Sequence, residues 1–327
     1  MHVVITGASA GVGRAVARMF GERGASVTLL ARNREALEKA KREIKASGGR
    51  AMVIVCDVSD ADAVENAAAR AEAAFGPIDV WINNAMVSVL SPVREMAADE
   101  YRRVTEVTYL GVVHGTLSAL RRMLPRDRGV IVQVGSTLAY RGIPLQSAYC
   151  AAKHAIQGFH DSLRAELLHD GSNVRVCMVN LPAVNTPQFR WMRSHMPHKA
   201  KPFGTIFEPE VAAQAIVWAS EHPRRELNVG WGTTQAILAN TFAPGLLDHY
   251  LGRIGFDAQQ GEEPEPPNRP DNLFTPLPGD AGAHGVFGEQ AKTTSPQLIA
   301  NTHRGAIGAA IAVIAVVGLT RLLSRRE

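Results

Sequence analysis

The sequence predicts an α/β fold: one open, doubly wound parallel sheet between two helical layers, a three-layer α/β/α domain with a C-terminal extension. Three observations carry this. Short apolar runs alternate with helical stretches from the first residue to about Val229, the first run leads into a glycine-rich turn, and polar residues suited to ligand binding stand just behind later runs. At 327 residues with a hydrophobic fraction of 46%, the chain has room for one large domain or two small ones. The unbroken alternation and the lack of internal repeats favour one sheet.

The first run, Val3-Val4-Ile5, enters Thr6-Gly7-Ala8-Ser9-Ala10-Gly11-Val12-Gly13-Arg14 and then a helical pattern. Glycines at 7, 11 and 13 permit unusual backbone angles, close approach of a ligand to the main chain, and tight helix packing on the strand. Free N–H groups at the helix start would face a pyrophosphate. The spacing is looser than Gly-x-Gly-x-x-Gly, so by itself it fits an ordinary strand-to-helix connection equally well.

The second run, Ser26–Ala31, ends at Arg32, where an acid for a ribose 2′-hydroxyl would usually stand. Arginine pairs instead with a 2′-phosphate, and Arg14 offers a second cation, so NADP is expected rather than NAD. Both arginines are also compatible with plain solvation. Asp57 follows the third run, Ala51–Cys56, and Asn83-Asn84-Ala85 follows the fourth, Ile78–Ile82. Carboxyl ends of parallel strands are where open α/β sheets bind ligands. Asp57 is suited to accept from an adenine amino group and Asn83 to hold the turn lining the cofactor, although single residues of these types commonly serve as loop or helix caps.

A further apolar run ends at Ser136, with Tyr149 thirteen residues on and Lys153 four beyond that. Positions i and i+4 share a helix face, so phenol and ammonium project side by side, and a serine from the strand end meets them. A cation held nearby favours the phenolate and brings a phenol, ordinarily near a pKa of about 10, closer to neutral. Such a tyrosine exchanges a proton with an alcohol oxygen. Tyr-x-x-x-Lys alone is weak evidence; its position behind the glycine-rich turn is what gives it weight.

Thr6-Gly7-x-x-x-Gly11-x-Gly13, Asp57, Asn83-Asn84-Ala85, Ser136, Tyr149-x-x-x-Lys153 and Pro182 through Thr186 follow one another in the order found in the short-chain dehydrogenase/reductase family, which the chain resembles over roughly residues 1 to 250. The resemblance implies a Rossmann-type domain. It also implies Tyr149 as general acid/base, Lys153 lowering its pKa and binding the nicotinamide ribose, and Ser136 holding the substrate oxygen. Cofactor contacts implied in the same way are Gly7, Ser9, Gly11, Val12, Gly13, Arg14, Arg32, Asp57, Val58, Asn83, Ala85, Pro182, Val184 and Thr186. Three positions depart from the family pattern: Met86 and Ala183 replace glycines, and Thr108 stands where a helical asparagine positions a relay water. Thr108 leaves open a cofactor-binding regulatory or scaffold protein with impaired catalysis, and the fold leaves open an epimerase or dehydratase.

The segment after Thr186, about 187 to 207, corresponds to a flap over the substrate and carries Phe189, Trp191, Met192, Met196 and Phe203, which suggests a hydrophobic carbonyl or alcohol substrate. A net charge of +4 with scattered arginines gives no basis for nucleic-acid binding. Cys56, Cys150 and Cys177 suggest neither a disulfide framework nor a metal site, and His195 and His198 lack accompanying ligands, so no metal is expected. The family habit implies a homodimer or homotetramer.

The Rossmann-type domain is expected over 1–255. Residues 256–303 open with an acidic, proline-rich stretch almost without apolar side chains, expected as a partly disordered linker. Sixteen uncharged residues, 305–320, then precede Arg321, so 304–323 is expected as an apolar helix of borderline spanning length. It would serve as a single membrane anchor, placing the domain on the cytoplasmic face, although the arginines beyond the span do not follow the positive-inside rule.

Overall fold

The structure is a computed structural model that describes residues 1–304. Seven parallel strands form the sheet: β1 (His2–Thr6), β2 (Ser26–Ala31), β3 (Arg50–Val55), β4 (Val80–Asn83), β5 (Val130–Ser136), β6 (Arg175–Leu181) and β7 (Glu226–Asn228), in spatial order β7-β6-β5-β4-β1-β2-β3. The strand order reverses between β1 and β4, and the crevice beyond their carboxyl ends is where a doubly wound sheet takes its ligand.

Apolar side chains alternate between two cores. Val3, Ile5, Val27 and Leu29 pack with α1 (Gly11–Glu22), α2 (Arg34–Ala46) and, later in the chain, residues 209–221, while Val4, Leu30, Ile54 and Trp81 face the opposite helical layer. That second layer consists of α3 (Ala61–Phe75), α4 (Ala98–Val104), α5 (Gly111–Met123) and α6 (Ser147–His169). Burial on both faces explains why the strands read as continuous apolar runs. Asn33 and Asp60 cap α2 and α3 through their side-chain oxygens, which accept from Ala36 N and Ala63 N, and a π-helical turn, Thr105–Leu110, joins α4 to α5. A short helix, α7 (Gln188–Trp191), sits in the expected flap; α8 (Pro209–Glu221), α9 (Trp231–Phe242) and α10 (Pro244–Ile254) follow.

Residues 256–303, expected as a partly disordered linker, pack along the domain surface. Gln260–Pro264 pairs antiparallel with His198–Ala200, Lys292 bridges Phe207, and α11 (Pro296–Thr302) packs beside β7, where the Gln297 side chain accepts from Gly230 N at 2.8 Å and donates to Asn228 O at 2.9 Å. Only a few apolar side chains anchor the stretch, with Leu273 fully buried and Ala283 and Leu298 nearly so. Its remaining partners are polar groups of the domain, which composition does not reveal. Among the described residues no helix is long and apolar enough to cross a membrane. The expected anchor, 304–323, lies outside the described residues apart from Arg304.

Candidate active site

A cavity of about 1030 Å³ runs from the glycine-rich turn to α9 and α10, at the upper end of small-molecule sites. The turn that opens it is built by backbone constraint. Gly7 and Gly11 hold φ of +67° and +56°, and a Cβ on Gly13 would stand 2.4 Å from Gly7 O. Gly13 therefore seats the helix on the strand and does not itself line the cavity, whereas Gly7, Ser9, Gly11 and Val12 do. A cradle that any side chain would fill suits a pyrophosphate lying against the backbone.

Asn83 is corrected. Its side chain is 1% exposed and joins Trp81 Nε1 at 2.9 Å with Thr116 and Gln133 at 3.0 Å, on the side away from the cavity. Asn84 holds the turn instead, donating to Thr6 O at 3.0 Å and Gly7 O at 3.3 Å. Successive side chains of a strand end point to opposite faces, so of two adjacent asparagines one reaches the turn. Ala85 lines the cavity.

Arg14 is corrected as well. It is 2% exposed, does not line the cavity, and donates to Glu43 at 2.6 and 3.0 Å and to the Asp280 carboxylate. Burial opposes its charge, but Glu43 and Asp280 hold its pKa above the usual arginine value. Arg32 does line the cavity, as do Asp57 and Val58. Asp57 accepts from Ser59 N at 3.0 Å, from Ser59 Oγ at 2.8 Å and from Arg103 Nη2. Burial alone would raise its carboxyl; Arg103 and Ser59 bring it below the ordinary carboxylate range. A carboxylate offers about four acceptor sites, so one remains for an amino group.

Ser136, Tyr149, Lys153, Pro182 and Val184 also stand on the wall, and Thr186 lines it beside Gly11 of the turn. The pairing of Tyr149 with Lys153 differs from the expected one. The ammonium is 3% exposed, donates to Val134 O at 2.6 Å, and lies 5.5 Å from the centre of the phenol ring. Burial drives Lys153 down to about 8 and pushes the Tyr149 phenol up, with the hydrogen bond to Ser136 pulling the phenol back. Ser136 Oγ also accepts from Leu138 N at 3.1 Å, which fixes its rotamer.

Thr108 is fully buried in the π-helical turn, off the cavity wall, where its hydroxyl accepts from Val87 N at 3.1 Å and donates to Val87 O at 2.9 Å. It positions the backbone beside Met86 and Val87, both of which line the cavity. The expected catalytic place for Thr108 is thus replaced by a supporting one, because its shorter side chain ends on the backbone it braces.

Leu138, Ile143, Phe189, Met192 and Tyr250 add apolar wall to the cavity, and Trp191 lines it where its carbonyl accepts from Asn272 N at 3.0 Å. Sequence reading missed Arg103, whose role depends on the folded proximity of α4 to β3, and missed the contribution of residues 272–282 to the wall. All three cysteines are free and buried, and burial drives Cys56 to about 12, Cys150 to about 11 and Cys177 to about 12, which leaves them as apolar filling.

The sequence profile described as short chain dehydrogenase matches residues 1–196. The uncharacterized oxidoreductase YxnA of Bacillus subtilis is 32% identical over 274 residues, covering 83% of this chain and 77% of that protein. Dehydrogenase/reductase SDR family member 7B of Mus musculus is 37% identical over 188 residues, and the match spans 56% of this chain and 58% of that protein. A metagenomic short-chain oxidoreductase crystallised in complex with NADP superposes with a TM-score of 0.59 at 29% identity, covering 70% of this chain and 95% of its own.

Proposed function

This chain belongs to the short chain dehydrogenase family, and on that premise we propose that it moves a hydride between NADP and the carbinol or carbonyl carbon of a hydrophobic substrate. The observation that carries the reading is the convergence of Ser136, Tyr149 and Lys153 on the wall of a cavity whose opposite end is the glycine cradle. NADP as the cofactor is supported by Arg32 on the cavity wall and by the NADP bound in the similar metagenomic oxidoreductase.

When bound, the nicotinamide supplies or accepts the hydride. In the reducing direction Ser136 holds the carbonyl oxygen and Tyr149, kept protonated by burial, gives it the proton that completes the alcohol. In the oxidising direction Tyr149 takes that proton back. Lys153, anchored on Val134 O, places a positive charge over the phenol ring and would hold the nicotinamide ribose. Leu138, Ile143, Phe189 and Met192 exclude water and select an apolar substrate body. The exposed leucines Leu110, Leu117, Leu124 and Leu168 support assembly through α5 and α6 into a homodimer or homotetramer.

The test is Tyr149→Phe assayed on a panel of hydrophobic ketones and aldehydes. Turnover is expected to fall by about 10²- to 10⁴-fold, the usual worth of a positioned acid/base, with NADPH binding retained. Undiminished turnover in that variant would remove the proposal, and NADPH binding without turnover by the unaltered protein on every substrate would favour the regulatory reading.

A further inference from the structure

The C-terminal stretch passes over the adenosine end of the cavity, and its contacts fall on the groups that form that end. Arg32 donates to Asn272 O at 2.5 Å, Phe274 O at 2.9 Å and Leu273 O at 3.3 Å. Asn33 donates to Leu277 O at 2.7 Å and Gly279 O at 2.8 Å, and Gly11 N donates to Gly282 O at 3.1 Å. Asp280 pairs with Arg14, and Gly279 N donates to Glu35 at 3.2 Å. Pro276 through Ala281 line the cavity across from Gly7–Val12 and Ala31–Asn33.

The ends of this stretch are fastened differently from its middle. Leu273 is fully buried in the core on one face of the sheet, and Ala283 is 5% exposed in the core on the other. Phe274 to Gly282 bridge the two anchors, with Phe274 42% exposed and no side chain of the bridge in either core. Pro276 and Pro278 stiffen the bridge, while Gly279 and Gly282, at φ +81° and +70°, are its bending points. A segment pinned by apolar burial at both ends and held between them by polar contacts can lift without unfolding the domain.

We propose that residues 274–282 form a strap that is the outer wall of the cofactor site: it lifts to admit the adenosine end, closes over it, and limits its escape, with Asp280 on Arg14 as the latch. This rests on the cavity being a nicotinamide cofactor site. Carbonyls of Asn272 and Leu273 before the strap and of Phe274 at its start also orient Arg32, using three donor contacts of a guanidinium that has five N–H groups and leaving others to face a 2′-phosphate. The buried ion pair of Arg14 therefore acts on the cofactor through the strap, although Arg14 itself never reaches the cavity.

The experiment combines hydrogen exchange on the full chain, with and without NADPH, and stopped-flow release of NADPH from the unaltered protein and from Asp280→Asn. NADPH is expected to slow exchange of the strap amides, and the substitution to speed release by about ten-fold, the worth of one charge-assisted hydrogen bond. Strap exchange indifferent to NADPH, or accelerated by it, overturns the proposal, as does a release rate within two-fold of the unaltered protein in a correctly folded variant. Exchange on the unaltered protein needs no substitution, so a misfolded variant does not protect the idea. If neither NADPH nor NADH binds the unaltered protein, the cofactor reading itself fails, and the strap proposal with it.

Discussion

β1 and the strap flank the same glycine turn and are held there by opposite means. All five residues of β1 are buried, with Val3 and Ile5 in one core, Val4 in the other, and the backbone paired on both sides. The strap has no side chain in either core and is held by Arg32, Asn33, Glu35 and Arg14, all of which belong to the domain. A strand carries the cause of its order in its own side chains, whereas the strap borrows its order from its partner's. The first kind survives anything that spares the core; the second is sensitive to a single partner.

The strongest test of this contrast is Gly13→Ala. The added Cβ would meet Gly7 O at 2.4 Å and Asn84 Nδ2 at 2.5 Å, and backbone at a fixed turn has nowhere to move. We expect a loss of about 1–3 kcal/mol or more, with cofactor binding abolished; a melting temperature and NADPH affinity equal to those of the unaltered protein would show the turn to be slack. Leu29→Ala and Leu273→Ala, both at fully buried leucines, spare the turn and act on stability alone. Each should cost about 2–5 kcal/mol if the two sites are equally well packed. Urea unfolding reports the size, and hydrogen exchange separates the sites: Leu29→Ala should weaken the sheet, while Leu273→Ala should deprotect residues 274–282 and leave β1 unchanged. Unaltered strap exchange in Leu273→Ala would break the contrast.

Smaller again is a pH effect. Lys153 titrates at about 8 when folded and about 10.4 when unfolded, so between those values the unfolded chain keeps a proton that the folded chain has released. Stability from this group rises with pH across that window and is lowest below it. Lys153→Met lacks the rise, so the unaltered protein should gain on the variant by on the order of 1–3 kcal/mol between pH 7.5 and about 10. Paired urea titrations at the two pH values measure it, the subtraction cancelling the opposite trend of the buried thiols and Tyr149; a constant difference would mean that the lysine is ordinary. The smallest effect is salt. Raising ionic strength should speed exchange at the partly exposed strap contacts, such as Gly279 to Glu35, while sheet amides stay unmoved.

The parts legible in the sequence are those whose cause is local. The strand runs, the glycine turn and the Tyr-x-x-x-Lys spacing all appear in place, because period, φ preference and helix pitch depend on neighbours a few residues apart. The errors have the opposite character. Asn83 and Asn84 differ only in which face of a strand end each occupies, and the unexpected partner of Asp57 is Arg103, 46 residues distant. Arg14 was legible as a cation beside a phosphate site but not as a buried partner of Asp280, which lies 266 residues away.

The sequence by itself determined the doubly wound sheet, the end of it where the cavity opens, and the Ser136, Tyr149 and Lys153 side chains on its wall, because apolar periodicity and short-range stereochemistry suffice for these. Only the tertiary structure decided that the acidic, proline-rich stretch wraps the domain, that Lys153 lies buried and bonded to Val134 O, and that the glycine-turn end of the cavity has a second wall. The physical reason is the same in each case. A polar group's energy is set by the partner it meets, and that partner is chosen by the packing of residues far away in the chain.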